Sequence, residues 1–149
     1  MQEINVSLSE MYPIICEQLQ GGGKVRFKPH GTSMLPTLRQ GLDEVELTQP
    51  DGKLKKYDIA FYRRKDGQFV LHRILARKSD GTYIIRGDHQ FEYEYGICDA
   101  DIIAVCSGIY RNGKNISANS LPFYLWAILG PLYFRTRFRL STLRKKLRG

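Results

Sequence analysis

A serine hydroxyl attacks a carbonyl only when a neighbouring base takes its proton, so a reactive serine has to be held within reach of a titratable side chain. The stretch Gly31-Thr32-Ser33-Met34-Leu35-Pro36-Thr37-Leu38 offers a serine of this kind. Gly31 can adopt backbone angles closed to other residues, and Pro36 fixes its own φ and pushes Leu35 towards an extended conformation, so Ser33 is expected on a stiff bend. The same residue types also make an ordinary surface turn, and the bend alone assigns no chemistry. The chain has three histidines, His30, His72 and His89. Imidazole, with a reference pKa of about 6.5, needs almost no shift to act as a base at neutral pH, whereas a lysine at about 10.4 must lose some three units.

The order of three short boxes selects among these partners. The pattern G-x-S-M-x-P-x-L over residues 31–38 resembles the nucleophile box of the signal peptidase family and its relatives, the self-cleaving repressor peptidases. Val70-Leu71-His72-Arg73-Ile74 is similar to the general-base box of the endoplasmic-reticulum type, and Arg86-Gly87-Asp88-His89 to the family's G-D-N box. The resemblance covers residues 24–117 and implies Ser33 as nucleophile, His72 as base and Asp88 as the acid that orients the imidazole. Arg73 matches the basic residue that follows the base in the family. His89 stands where asparagine is usual, and Glu94 lies near a second acidic position of the endoplasmic-reticulum type, so either Asp88 or Glu94 can be the orienting carboxylate. The oxyanion hole implied is the Ser33 backbone N–H, with Gly31, Thr32 and Met34 around it. Lys78 is the lysine rival for the base, but Ser79-Asp80-Gly81 after it reads as a turn, where a solvated ammonium keeps its proton.

These residues must be positioned by the elements around them. Leu8, Met11, Ile14, Ile15 and Leu19 recur at helical spacing between Ser7 or Ser9, either of which can cap, and the stop Gly21-Gly22-Gly23, which predicts a short amphipathic helix over 7–20 packed on a sheet. Pro13 fits its first turn if the cap is Ser9 or later. From Lys24 the period becomes two, predicting a strand that delivers the chain to Ser33. Further strands are expected over 44–48, 58–63, 68–77, 82–86 and 102–110, separated by turns at Pro50-Asp51-Gly52, Asp66-Gly67, Asp80-Gly81 and Asn112-Gly113. Residues 121–134 form the most apolar run. At fourteen residues it is shorter than the roughly 20 needed to span a bilayer, so it is expected to lie on a membrane surface or against the core.

The chain of 149 residues carries a net charge of +8. Residues 135–149 hold seven basic residues and no acid, which leaves the other 134 with 16 basic against 15 acidic. The excess belongs to a tail, so composition argues against a nucleic-acid-binding body. Phe138, Leu140, Leu143 and Leu147 interleave with the tail's cations, the composition of an interfacial helix facing anionic lipid. Cys16, Cys98 and Cys106 form no C-x-x-C pair and read as small buried hydrophobes in a reducing compartment. No basic start or apolar leader opens the chain.

These readings converge on a mainly β, signal-peptidase-like antiparallel domain over residues 1–120, with a short N-terminal helix and an apolar then basic helical tail over 121–149. The expected function is that of a serine endopeptidase cutting an extended leader or signal peptide with small residues before the cut, through Ser33, His72 and Asp88. No metal or cofactor is implied. The expected partners are a polypeptide substrate and an anionic membrane surface, the expected location cytoplasmic or peripheral to a membrane. A self-cleaving repressor-like peptidase is disfavoured because only 30 residues precede the box and no Ala-Gly or Cys-Gly bond occurs. The remaining rival is a non-catalytic module that binds membrane or nucleic acid through its basic tail.

Overall fold

The structure is a computed structural model that describes residues 7–147. Residues 1–6, part of the opening in which no leader was found, and Arg148 of the basic tail lie outside the described residues. Helix α1 (Leu8–Gln20) begins at Ser7, whose hydroxyl accepts the N–H of Glu10 at 3.3 Å while the Glu10 carboxylate accepts the N–H of Ser7 at 3.1 Å. This reciprocal cap satisfies two donors that a helix start leaves open. Because Ser7 rather than Ser9 caps, Pro13 falls beyond the first turn, on the exposed side, where the carbonyl it leaves unbonded is open to water. Ile15 and Leu19 are buried, whereas Ile14, expected on the apolar face, is 67 % exposed.

The body is one sheet of eight strands, all paired antiparallel: β1 (Val25–Phe27), β2 (Glu44–Thr48), β3 (Ile59–Arg63), β4 (Phe69–Arg77), β5 (Tyr83–Arg86), β6 (Glu94–Ile97), β7 (Ile102–Arg111) and β8 (Lys114–Ser117). Their order is β1-β2-β7-β3-β4-β5-β6, with β8 on β7. The mainly β class expected from the strand-like runs and the turns between them is therefore the observed one. Strands β6 and β8 were not expected. Asn112 and Gly113 both have positive φ, 52° and 74°, the geometry of a two-residue hairpin. The strand it returns, Lys114–Ser117, has a single apolar residue and so no readable alternation.

Side chains alternate across a strand, and the sheet accordingly has two apolar faces. Phe61, Phe69 and Leu71 join Val45, Leu47 and Ile109 on the face covered by Ile15 and Leu19 of α1. Tyr62, Val70 and Ile74 join Tyr83, Ile85 and Ile97 on the other. Each fully buried Ile, Leu or Phe contributes about 1.5–3 kcal/mol. Of the cysteines, Cys106 is the buried one, with a thiol that burial pushes up to about 12; Cys16 and Cys98 are half-buried.

Helix α2 (Leu121–Leu147) continues through Gly130-Pro131. Phe123, Ala127, Gly130 and Phe134, spaced by four, three and four, are its buried face. Phe123 enters the core beside the Arg111 guanidinium, Tyr124 meets Tyr57 edge-on at 5.3 Å, and Phe134 meets His89 and Phe91, each at 5.3 Å. One face of the apolar run thus packs on the body. Among the described residues no helix is long and apolar enough to cross a membrane.

Candidate active site

Ser33 lies in the turn 31–38, six residues past the end of β1 rather than at the strand end the sequence suggested. Gly31 has φ +94°, closed to most L-residues, and its N–H donates to Gln40 Oε1 at 3.1 Å. The turn is held by bonds from Leu35 N–H to the Thr32 carbonyl (3.2 Å) and from Leu38 N–H to the Met34 carbonyl (2.9 Å), neither of which uses the Ser33 N–H. Met34 is buried in the core and also lines the groove in front of Ser33, so its two expected roles coincide. Thr32 is exposed.

Two neighbours fix the Ser33 backbone and the turn. The Ser33 carbonyl accepts the N–H of His89 at 2.8 Å, and a Cβ placed on Gly87 would stand 2.6 Å from that same carbonyl oxygen. A side chain at 87 would push the Ser33 turn away, which gives the glycine of the third box a steric reason. Arg111, held by the fully buried carboxylate of Asp43, donates to the carbonyl of Thr37 at 3.0 Å. Burial alone would raise the Asp43 carboxyl, but Arg39 and Arg111 hold it far below the usual carboxylate range.

The hydroxyl of Ser33 lies 3.0 Å from His72 Nε2. His72 is on β4, 3 % exposed. On the other side of the ring, Nδ1 stands 3.3 Å from the Tyr62 hydroxyl and 3.3 Å from Glu94 Oε1. Burial would raise the Glu94 carboxyl, but the bonds from Arg64 and Tyr62 outweigh it and hold the group below its ordinary value. An ionised carboxylate has no proton to give, so the favourable partner for it is Nδ1–H. That tautomer leaves Nε2 free to accept the serine proton. Burial lowers the His72 pKa, against the opposing pull of Glu94, and the neutral, proton-accepting form therefore predominates at pH 7.

Asp88, expected to orient His72, is placed elsewhere. Its carboxylate accepts two bonds from Arg73, at 2.7 and 2.8 Å, and one from the Thr37 hydroxyl at 2.5 Å. The reason is the period of the strand: His72 and Arg73 are successive residues of β4 and point to opposite faces. Register sends Glu94 to the face of His72, since Ile74 pairs with Ile85 and Ile85 with Glu94 across three strands. Asp88 instead ties the serine turn, through Thr37, to the strand of the base, through the buried Arg73. Glu94 was raised by the resemblance alone. The alternation Phe91-Glu92-Tyr93-Glu94-Tyr95 was the available signal for β6, and Gly96, at φ +79°, obscured it.

The same geometry sets the side chains of Lys78 and His89 apart from the site. Lys78 sits in the β4–β5 turn beside Asp80, at 3.4 Å, and six residues of strand from His72 span roughly 20 Å. His89 packs edge-on against Phe134, and His30 is an exposed residue lining the groove.

Strand β5 pairs only with the Arg73–Arg77 half of β4. Among the described residues no strand lies beside the other edge of Phe69–His72, and this edge borders a groove of about 240 Å³. Pro29, Gly31, Ser33, Met34, Phe69 and Leu71 are among its walls. The arrangement can bind an extended chain by strand addition and bring a carbonyl to Ser33. Comparison with family models, with curated proteins and with solved structures returns no match, and the reading of this site rests on its own geometry.

Proposed function

We propose that the protein is a serine endopeptidase of the signal-peptidase type, with Ser33 as nucleophile, His72 as general base and Glu94 as the carboxylate that orients it. The observation that carries this reading is the 3.0 Å approach of Ser33 Oγ to the Nε2 of a buried histidine whose Nδ1 faces an ionised carboxylate. An extended substrate pairs with the open edge of Phe69–Leu71, and its small side chains enter the apolar part of the groove. Ser33 Oγ adds to the scissile carbonyl as its proton passes to Nε2. The oxyanion is met by the Ser33 N–H, and the imidazolium is stabilised by Glu94 at 3.3 Å. Nε2 returns the proton to the departing amine. Water, activated by the same base, then hydrolyses the acyl-enzyme.

A covalent serine-directed probe tests the reading directly. Labelling at Ser33, seen as a mass shift on the peptide that contains it and absent in Ser33→Ala, is the expected outcome. Folded protein that takes no label and cleaves no peptide library would leave the non-catalytic module as the better account.

Two further results are expected. With a buried base, kcat/KM should rise with pH along a single limb whose midpoint lies below the histidine reference of about 6.5, because proton uptake by His72 is opposed by burial and only neutral imidazole accepts the serine proton. A midpoint well above that reference would point to a different base. Glu94→Gln should lower kcat by roughly 10²- to 10⁴-fold, since the amide cannot stabilise the imidazolium and can present N–H to Nδ1, selecting the wrong tautomer. It should also move the limb to still lower pH, because the group that raises the His72 pKa is gone. Parent-like kinetics in Glu94→Gln would reduce the working unit to Ser33 and His72.

A further inference from the structure

Helix α2 has apolar residues on two opposite faces. The face centred on Phe123, Ala127, Gly130 and Phe134 is buried in the body. Leu121, Leu125, Ile128, Leu129 and Leu132, separated by four, three, one and three residues, fall within about 100° of arc at 100° per residue, on the side opposite the buried face. They are between 38 and 67 % exposed. Tyr124 and Tyr133 flank this stripe, and both are nearly half exposed. Leu140, Leu143 and Leu147 extend it into the second half of the helix, where they alternate with Arg135, Arg139, Arg144, Lys145 and Lys146. Residues 120–149 contain no Asp or Glu.

We propose that this outer face is an in-plane anchor for an anionic lipid bilayer. An aliphatic stripe in the first half, tyrosines at its margin and cations without counter-charges in the second half are the three things an interfacial helix needs: apolar burial, amphipathic side chains at headgroup level, and attraction to negative lipid. Charge decides the occupant. A second copy would bring another all-basic helix against the first and meet like-charge repulsion. Nucleic acid would satisfy the cations but leave five outward aliphatic side chains in water. The inner face keeps the anchor attached to the body, through Phe134 on His89 and Phe91 and Phe123 beside Arg111. Lipid binding requires no chemistry at Ser33 and stands apart from the peptidase reading.

Co-flotation of the full chain with vesicles tests the anchor. The protein should float with vesicles of phosphatidylglycerol mixed with phosphatidylcholine, far less with phosphatidylcholine alone, and should be released by salt. Removing Arg135 and Arg139 as R135Q and R139Q should weaken binding about fivefold per charge. The triple variant L125Q, L129Q, L132Q should lose binding by tenfold or more while keeping the parent melting curve, because these side chains point away from the body. Ser33→Ala should float like the parent, which separates this result from the enzymatic one. Undiminished flotation of the triple variant overturns the proposal. So does a dimer in sedimentation velocity that the triple variant dissolves, or binding to nucleic acid in the absence of any binding to anionic vesicles.

Discussion

Ser33→Ala and His72→Ala are each expected to lower kcat/KM for a cleaved peptide by on the order of 10⁴- to 10⁶-fold, and the double variant should be no worse than either single one. In the proposed mechanism nucleophile and base act as a unit: without Nε2 the Ser33 hydroxyl keeps its proton at neutral pH, and without the hydroxyl the base has nothing to activate. Lys78 lies beyond the far end of β4, and Lys78→Ala should therefore cleave like the parent. Ser33→Ala removes one half-buried hydroxyl and should melt with the parent. His72→Ala also leaves a cavity beside Tyr62 and takes one partner from Glu94, which keeps Arg64, so some loss of stability accompanies its loss of activity. The decisive measurement is the kinetic one at a temperature where circular dichroism shows both variants folded. Additive losses, or near-parent cleavage by folded His72→Ala, would take the histidine out of the mechanism.

Asp88→Ala should instead show its largest effect on stability, about 3–5 kcal/mol, the cost of leaving a buried charge without its partner. The group left behind is the guanidinium of Arg73, 1 % exposed, whose other partners are the Tyr57 carbonyl at 2.9 Å and the Thr37 hydroxyl at 3.3 Å. Activity should fall with it, because the same carboxylate ties the serine turn to the strand of the base. Replacing both partners, as Arg73→Met with Asp88→Leu, should recover much of the stability, since an apolar pair leaves no orphaned charge. Denaturant melts of these two variants beside the parent decide the matter. Asp88→Ala that melts like the parent but turns over slowly at every pH would return the aspartate to the role of orienting acid.

How much of this was legible in the chain can be argued residue by residue. Runs rich in Val, Ile, Tyr and Phe over 44–48, 58–63 and 68–77, bounded by turn residues, announced β2, β3 and β4, because such side chains suit a pleated, packed surface. Ser7 was one of the two caps the sequence offered for α1, and Glu10, three residues on, is the partner that decides for it in the structure. The proximity of Ser33 and His72 was suggested by box order but is made by the fold, which brings a turn and a strand 39 residues apart to 3.0 Å. Box order placed Asp88 near the base and was silent on which way it faces. That is a matter of strand parity and register: one residue separates His72 from Arg73, so Asp88 meets Arg73, while the pairing of Ile74, Ile85 and Glu94 carries a different carboxylate to the imidazole. The apolar run of α2 likewise announced burial without saying where. Composition alone determined that residues 121–147 carry apolar side chains and only positive charge. Tertiary packing decided that one face of the helix covers the body and the opposite face is left to solvent, because a helix with apolar residues all round can bury only the stripe it turns towards a core.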